Sequence, residues 1–503
     1  MNESYILSLL VFSPIIGIVL LAFIPKAQEQ TLKLVGFLST LPALVLAFVL
    51  YSYYRGGTDL TSFSEKIGWF GILGKGQPFS VDYELGINGF SLVMVLLTAV
   101  LSTLAAIASI HIKKEWKGYF ILFLFLEIGM LGVFLAENLV LFFLFFEITL
   151  VTMFFLIGKW GYFEKEKAAF RFLIYNGIGS AILLIVIMVI FAKTGTTNIH
   201  AITSMMASPS GALPTGDLSS GLKYGLLIAL LIAFGIKLPI FPLHTWMLHV
   251  HVQAPPSIVM LHSGVLLKIG AFGFIRFGVG FFPEEFSNMA WLIALLGVIN
   301  LLYGAFLAFI QTDFKMVLAY SSISHMGIVL IGLGSLNEAG IQGAIFQVVS
   351  HGLISALLFF LIGVLYERVG TSQIDKLGGL AKVMPLTSGF LLAGAMASLG
   401  LPGMSGFVSE FMAFLGLFKT MPVLAAVGAI GIIMTAVYLL RAVLNVTYGK
   451  TSPTYEKVYD ITKIELVPVL ILLGLIVLIG VYPNVLSEPL QLVLENIVQG
   501  TRG

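Results

Sequence analysis

A chain of 503 residues that is 58% hydrophobic and only 10% charged, with a mean hydropathy of +1.03, carries more apolar surface than a soluble core can hide. It is predicted to be an all-α polytopic membrane protein. A net charge of +2 without any basic tract argues against a nucleic-acid partner, and zero cysteines exclude disulfides, cysteine-ligated zinc and iron–sulfur clusters.

In chain order, the first apolar segment, Ile6 to Ile24, has neither a basic leader nor an A-x-A cleavage pattern and is predicted to stay as a helix. Windows long enough to span follow at 31–53, 89–112, 118–136, 138–158, 168–192, 223–243, 256–280, 289–310, 316–334, 340–366, 384–418, 423–447 and 464–483. That predicts about fourteen spans, the twelfth long enough to be two half-helices around Leu401-Pro402-Gly403. Alternating the spans gathers most loop lysines and arginines on one side, among them Lys26, Lys113, Lys114, Lys117, Lys159, Lys165, Arg368 and Lys450. Few fall on the other, which receives Arg55, Lys66, Lys75, Lys193, Lys223, Lys419 and Arg502. The positive-inside rule then places both termini outside the cytoplasm. Two longer loops, at 55–88 and 194–222, lie on that outer side, and neither reads as a domain.

The stretch from Gly235 to Gly270 organises the rest. It sets Lys237 and Lys268 in apolar sequence, with Pro239, Pro242, Pro255 and Pro256 and with His244, His249, His251 and His262 between them. Proline removes a backbone donor and clashes one turn back, so a spanning helix should break here. A break in a bilayer needs protein or trapped water to serve the freed carbonyls, and a lysine beside one marks an ion or proton path. The three histidines 244, 249 and 251 are expected on a loop at the cytoplasmic side, with no carboxylate near enough for a metal site. A faint repeat also shows. Asn176-Gly177-Ile178-Gly179-Ser180-Ala181 echoes His351-Gly352-Leu353-Ile354-Ser355-Ala356, and Lys237-Leu238-Pro239 echoes Gly400-Leu401-Pro402. An odd number of spans separates the two units, so two inverted five-helix repeats, each with a broken helix, are expected. The divisions are then 1–112, 113–283, 284–450 and 451–503.

Ionisable residues inside spans are few: Glu127, Glu147, Lys237, Lys268, His325, His351 and Glu410. Each unpaired charge at mid-membrane costs roughly 2.5–3.5 kcal/mol, so each needs a partner or a task. Glu147 with Lys237 can be an ion pair that only locks two helices, and the two histidines can be helix–helix hydrogen bonds. A row of titratable groups bridged by water can instead carry protons sideways.

The segments KLPIFPLHTW, HVQAP, SGVLLKIGAFGFIRF, SSISHMG and GLPGMSGFVSEF resemble the antiporter-like membrane subunits of respiratory complex I, over nearly the whole chain. Glu410 stands where the L-like and N-like branches typically carry lysine, so the resemblance points to the subunit M (chain 4) branch. It implies that Glu147 and Lys237 form a coupled ion pair, that Lys268 is the central relay lysine, that His325 and His351 link to the second half, and that Glu410 is the terminal acid. It also implies no cofactor in this chain, with NADH, FMN, Fe–S clusters and quinone in partner subunits. L-like and N-like neighbours would flank it in a bacterial cytoplasmic membrane. The sequence departs from the family at Leu248 and His249, where Pro-Asp is common, and at His262, usually apolar. A sodium/proton antiporter subunit, the equivalent subunit of a ferredoxin-linked complex, and a scaffold with structural charges are the alternatives.

Overall fold

The computed structural model describes residues 5–72, 79–207, 213, 218–450, 455 and 457–502. Lys75, and part of each longer outer loop, lie outside the described residues.

Apolar segments become helices because a bilayer supplies no partner for a free N–H or C=O. Among the described residues thirteen helices are long and apolar enough to cross a membrane. In chain order the segments are α1 (Ile6–Phe23), α2 (Glu29–Arg55), α3 (Gly89–His111), α4 (Trp116–Leu135), α5 (Leu139–Trp160), α6 (Lys165–Thr194), α7 (Ser220–Lys237), α8 (Thr245–Gln253), α9 (Pro256–Val279), α10 (Ala290–Ile310), α11 (Phe314–Gly334), α12 (Glu338–Val369), α13 (Pro385–Ser398), α14 (Ser405–Thr420), α15 (Pro422–Thr447), α16 (Lys463–Val481) and α17 (Asn484–Arg502). The expected twelfth span is the pair of half-helices α13 and α14. Some elements were not expected, among them short helices at Ile199–Met206 and Pro283–Asn288. A hairpin also pairs β1 (Glu65–Ile72) with β2 (Phe79–Leu85), and α17 follows the last span.

Helix ends are closed from within the protein. Asn88, Asn138, Asp313 and Asn337 each accept a hydrogen bond from a first-turn N–H of α3, α5, α11 and α12, which satisfies donors the helix cannot. The breaks are handled in two ways. After α7, Asn300 of α10 accepts from Phe241 N at 2.6 Å and donates to the carbonyls of Pro239 and Ile323 at 3.3 and 3.0 Å. Trp246 Nε1 donates to the Ile236 carbonyl at 3.1 Å. Between α13 and α14, Gly400 and Gly403 take φ of +82° and +92°, a region open to glycine at little cost. A Cβ on Gly400 would also sit 2.6 Å from Glu410 Oε2.

Contacts at the ends of the helices support the predicted order of crossings. At the lysine-rich face Trp160 Nε1 donates to Lys114 O, Tyr162 N to Gln253 O, and Gly379 N to Tyr448 O. Glu465 of α16 there accepts from Arg368 at 2.5 Å and faces His111 Nε2 at 2.9 Å. At the opposite face Leu85 bridges to Ala136 and Asn138 to Asn198, Arg276 pairs with Glu137 at 2.6 Å, and Lys66 pairs with Glu84 at 2.6 Å.

Burial defines an axis. The spanning windows of α9 and α12 are 100% buried, whereas those of α2, α15 and α16 are one third buried. One correction concerns the histidines after the first break. Two of the three are not on a loop: His249 and His251 lie on α8, while His244 ends the turn before it, because the helix restarts at Thr245.

Candidate functional site

The axis helices α9 and α12 carry Lys268 and His351, and the other candidate residues lie on helices around them. Lys268 lies on α9 between two π-helical turns, His262–Leu266 and Phe274–Val279. Such turns widen the helix and recur at functional sites. The side chain is fully buried, and Nζ lies 2.6 Å from His351 Nδ1 and 3.6 Å from Met326 Sδ. An ammonium at that distance donates to the neutral imidazole nitrogen, a charge-assisted bond.

From His351 the row continues. The His325 ring on α11 lies 5.5 Å from the His351 ring, centroid to centroid. Both rings line a cavity of about 10 Å³ with Gln347, Ser350, Ser398 and Glu410, close to the space one water needs. A second cavity of similar volume joins His351 to Ser321, Ser322 and Ser355. His325 Nδ1 stands 3.4 Å from Glu410 Oε1 and 3.2 Å from Gln347 Nε2, while Nε2 stands 3.2 Å from Ser398 Oγ. Ser409 donates to Gln347 Oε1 at 2.5 Å, which turns the amide NH₂ toward His325. Nδ1 can therefore either accept from Gln347 or, when protonated, donate toward Glu410, but not both.

The first half is built differently. Lys237 is the last residue of α7 and is buried at the break. Nζ donates to Thr149 Oγ1 at 3.1 Å and lies 3.7 Å from the centre of the Phe146 ring, a cation–π contact. Both partners are on α5 and flank Glu147, yet Glu147 itself makes no ion pair with Lys237 among the described residues. Its Oε1 is buried without a hydrogen-bond partner. The expected contact pair is thus an open pair, which interacts through space only. The reason is helical phase: at about 100° per residue, Phe146 and Thr149 face the break and Glu147 turns aside. Glu127 on α4 is fully buried, with neither carboxyl oxygen bonded.

The structure therefore brings together Lys268, His351, His325 and Glu410, and sets Lys237 and Glu147 on neighbouring helices without contact. Gln347, Ser398, Ser409 and Thr149 were missed. A signal existed for two of them, since Gln347 precedes His351 by one helical turn and Ser409 adjoins Glu410. No group of three or more His, Asp or Glu side chains among the described residues is placed to hold a metal.

Residues 136–435 match the family described as NADH:quinone oxidoreductase/Mrp antiporter, TM. The chain is 35% identical over 504 residues to NADH-quinone oxidoreductase subunit M of Rickettsia prowazekii, covering 99% of each chain. It is 38% identical over 497 residues to an NAD(P)H-quinone oxidoreductase chain 4 of Trichormus variabilis, covering 96% of this chain and 89% of that one. Its fold matches a chain in the structure of respiratory complex I from Thermus thermophilus with bound NADH, at a TM-score of 0.86 and 27% identity, over 99% of this chain and all of that one. With the family match spanning more than half the chain and full-length relatives above 30% identity, the chain belongs to the subunit M (chain 4) family of antiporter-like membrane subunits of respiratory complex I.

Proposed function

We propose that the chain moves protons across the membrane along a row from Glu147 and Lys237, through Lys268, His351 and His325, to Glu410, coupled to electron transfer from NADH to quinone in other subunits. The observation that carries this is the row of buried groups from Lys268 to Glu410: a 2.6 Å contact from Lys268 to His351, a water-sized cavity between the His351 and His325 rings, and 3.4 Å from His325 to Glu410. Such charges are costly in a membrane and are placed where they work.

In this reading, closing the Glu147–Lys237 pair favours a protonated Lys237, and separating it releases a proton toward Lys268. Lys268 hands its Nζ proton to His351 Nδ1, and the opposite nitrogen of that ring gives one up through the cavity to His325. Protonation of His325 Nδ1 replaces the bond from Gln347 with one to Glu410, which takes the proton. NADH, FMN, Fe–S clusters and quinone belong to partner subunits, with L-like and N-like subunits at the two ends of this one. Both termini lie outside the cytoplasm of a bacterial inner membrane. Residues 113–283 and 284–450 are inverted halves, each with its fourth crossing broken.

The test compares NADH-driven pumping by the wild-type complex with Glu147→Ala and Lys268→Ala in sealed vesicles. Pumping is expected to be lost or greatly reduced while the arm stays assembled. Full pumping in both would sink the reading.

A further inference from the structure

Two buried histidines stand beside this row without belonging to it. His251 lies on α8 and His262 opens the first π-helical turn of α9. Their rings meet edge to face, with centroids 4.9 Å apart, and His251 Nε2 lies 2.8 Å from His262 Nδ1. Each is about 1% exposed. The remaining nitrogen of each ring, His251 Nδ1 and His262 Nε2, is buried without a hydrogen-bond partner among the described residues. An orphaned polar atom in a dry interior costs about 1–3 kcal/mol. Two of them, at the two ends of one bonded pair, are hard to explain as packing.

Their surroundings give the pair a direction. Lys237 and Lys268 both act electrostatically on His262, and His251 interacts with Lys268 and with His351. Trp246 and Phe172 wall the His262 ring, with centroids at 5.4 and 6.0 Å, and Phe359 walls His251 at 4.8 Å. Apolar rings wall both imidazoles without bonding them and leave only their outer nitrogens open. The direct route has a gap at this point: Lys237 donates to Thr149, Lys268 to His351, and no hydrogen bond joins the two lysines among the described residues.

We propose that His251 and His262 form a two-ring proton carrier that connects Lys237 to the Lys268–His351 pair. The inference rests on the relay reading above. A proton released by Lys237 forms a new N–H bond at His262 Nε2. The His262 Nδ1 proton passes along the 2.8 Å bond to His251 Nε2, and the proton on His251 Nδ1 leaves toward Lys268. One proton is taken up and one released, both rings end in the opposite tautomer, and a reorientation of the two rings, with no proton passed back, resets the pair. Imidazole suits the task because each ring holds a donor and an acceptor at once.

The experiment uses the assembled complex in sealed vesicles, energised with NADH, carrying His262→Gln, His262→Leu, His251→Asn or Lys268→Ala. Pumping is scored per assembled complex, in H₂O and in D₂O. Both His262 variants and His251→Asn are expected to pump several-fold more slowly, with a larger solvent isotope effect. A merely structural role would lower the assembled amount and leave the isotope effect unchanged. His262→Leu guards against misfolding, since an apolar side chain removes the orphaned nitrogen. Loss in Lys268→Ala with wild-type pumping in the histidine variants overturns the carrier and spares the relay. Wild-type pumping in Lys268→Ala overturns the relay and the carrier with it.

Discussion

Two regions of this membrane bundle hold their buried charges with opposite degrees of closure. In one, Lys268, His351, His325 and Glu410 stand in a row with Gln347 and serines on its flanks. In the other, Lys237 rests on a threonine and an aromatic face while Glu147 points away. On the proposed relay, a closed row conducts whenever a proton reaches it. An open pair has two states, apart and together, and coupling needs an element with two states. On the proposed relay, the regulated step falls at the Glu147–Lys237 pair and the conducting step along the row from Lys268 to Glu410.

The comparison can be broken most severely at its hinge. Lys268→Ala removes the group between the open pair and the rest of the row and is expected to cut pumping by roughly a hundredfold or more, the scale of losing a proton-transfer group. A vesicle ΔpH assay checks it. Next is Lys237→Ala, which leaves the row intact but undriven. Pumping should be nearly lost while the complex still assembles on native gels, and an intact pumping rate would make the row self-sufficient. Gly400→Ala attacks the row through the backbone: a Cβ in the left-handed region, crowding Glu410, costs about 1–3 kcal/mol. Lower yield of assembled complex is expected, with the remainder pumping poorly. Thr149→Val tunes the open pair. It deletes a hydrogen bond to a charged group, of about 1.5–3 kcal/mol, so Lys237 swings more readily toward Glu147 and turnover shifts several-fold, read in the same assay.

The smallest effect lies outside the bilayer. Glu84, hydrogen-bonded to Lys66, with Asp82 beside it, holds that ammonium above the usual lysine range. Its contribution is fully present below the unfolded lysine pKa of about 10.4 and is lost as pH rises through the higher folded value. Lys66→Met should therefore lower the melting temperature only slightly at neutral pH, as befits a pair whose ammonium is exposed. The difference from wild type should vanish in strong alkali.

Much of the scaffold was legible because hydropathy reports what a bilayer demands. The spans, the break at Pro239 and Pro242, and the half-helices around Leu401-Pro402-Gly403 all follow from that demand. The charged residues stood out as exceptions to it. What stayed hidden depends on contacts between distant segments or on weak periodicity. The hairpin at 65–85 is short. The helix α17, Asn484–Arg502, is amphipathic, with Pro489 inside it, so it falls below the apolarity of a span. Helical phase turned Glu147 from Lys237, and no spacing rule brings His251 to His262 across Pro255 and Pro256. The histidines 244 to 251 read as loop because prolines surround them, yet Asn300 and Trp246 close the break early enough for a helix to restart.

The most direct test of the relay is proton pumping driven by NADH in sealed membrane vesicles, comparing wild type with Lys237→Ala and Glu410→Ala at equal amounts of assembled complex. One substitution disables the open pair and the other the far end of the closed row. The account predicts that pumping is lost in both. Normal NADH-driven pumping in both, with sodium-dependent proton exchange lost, would contradict it and move the chain to the antiporter class.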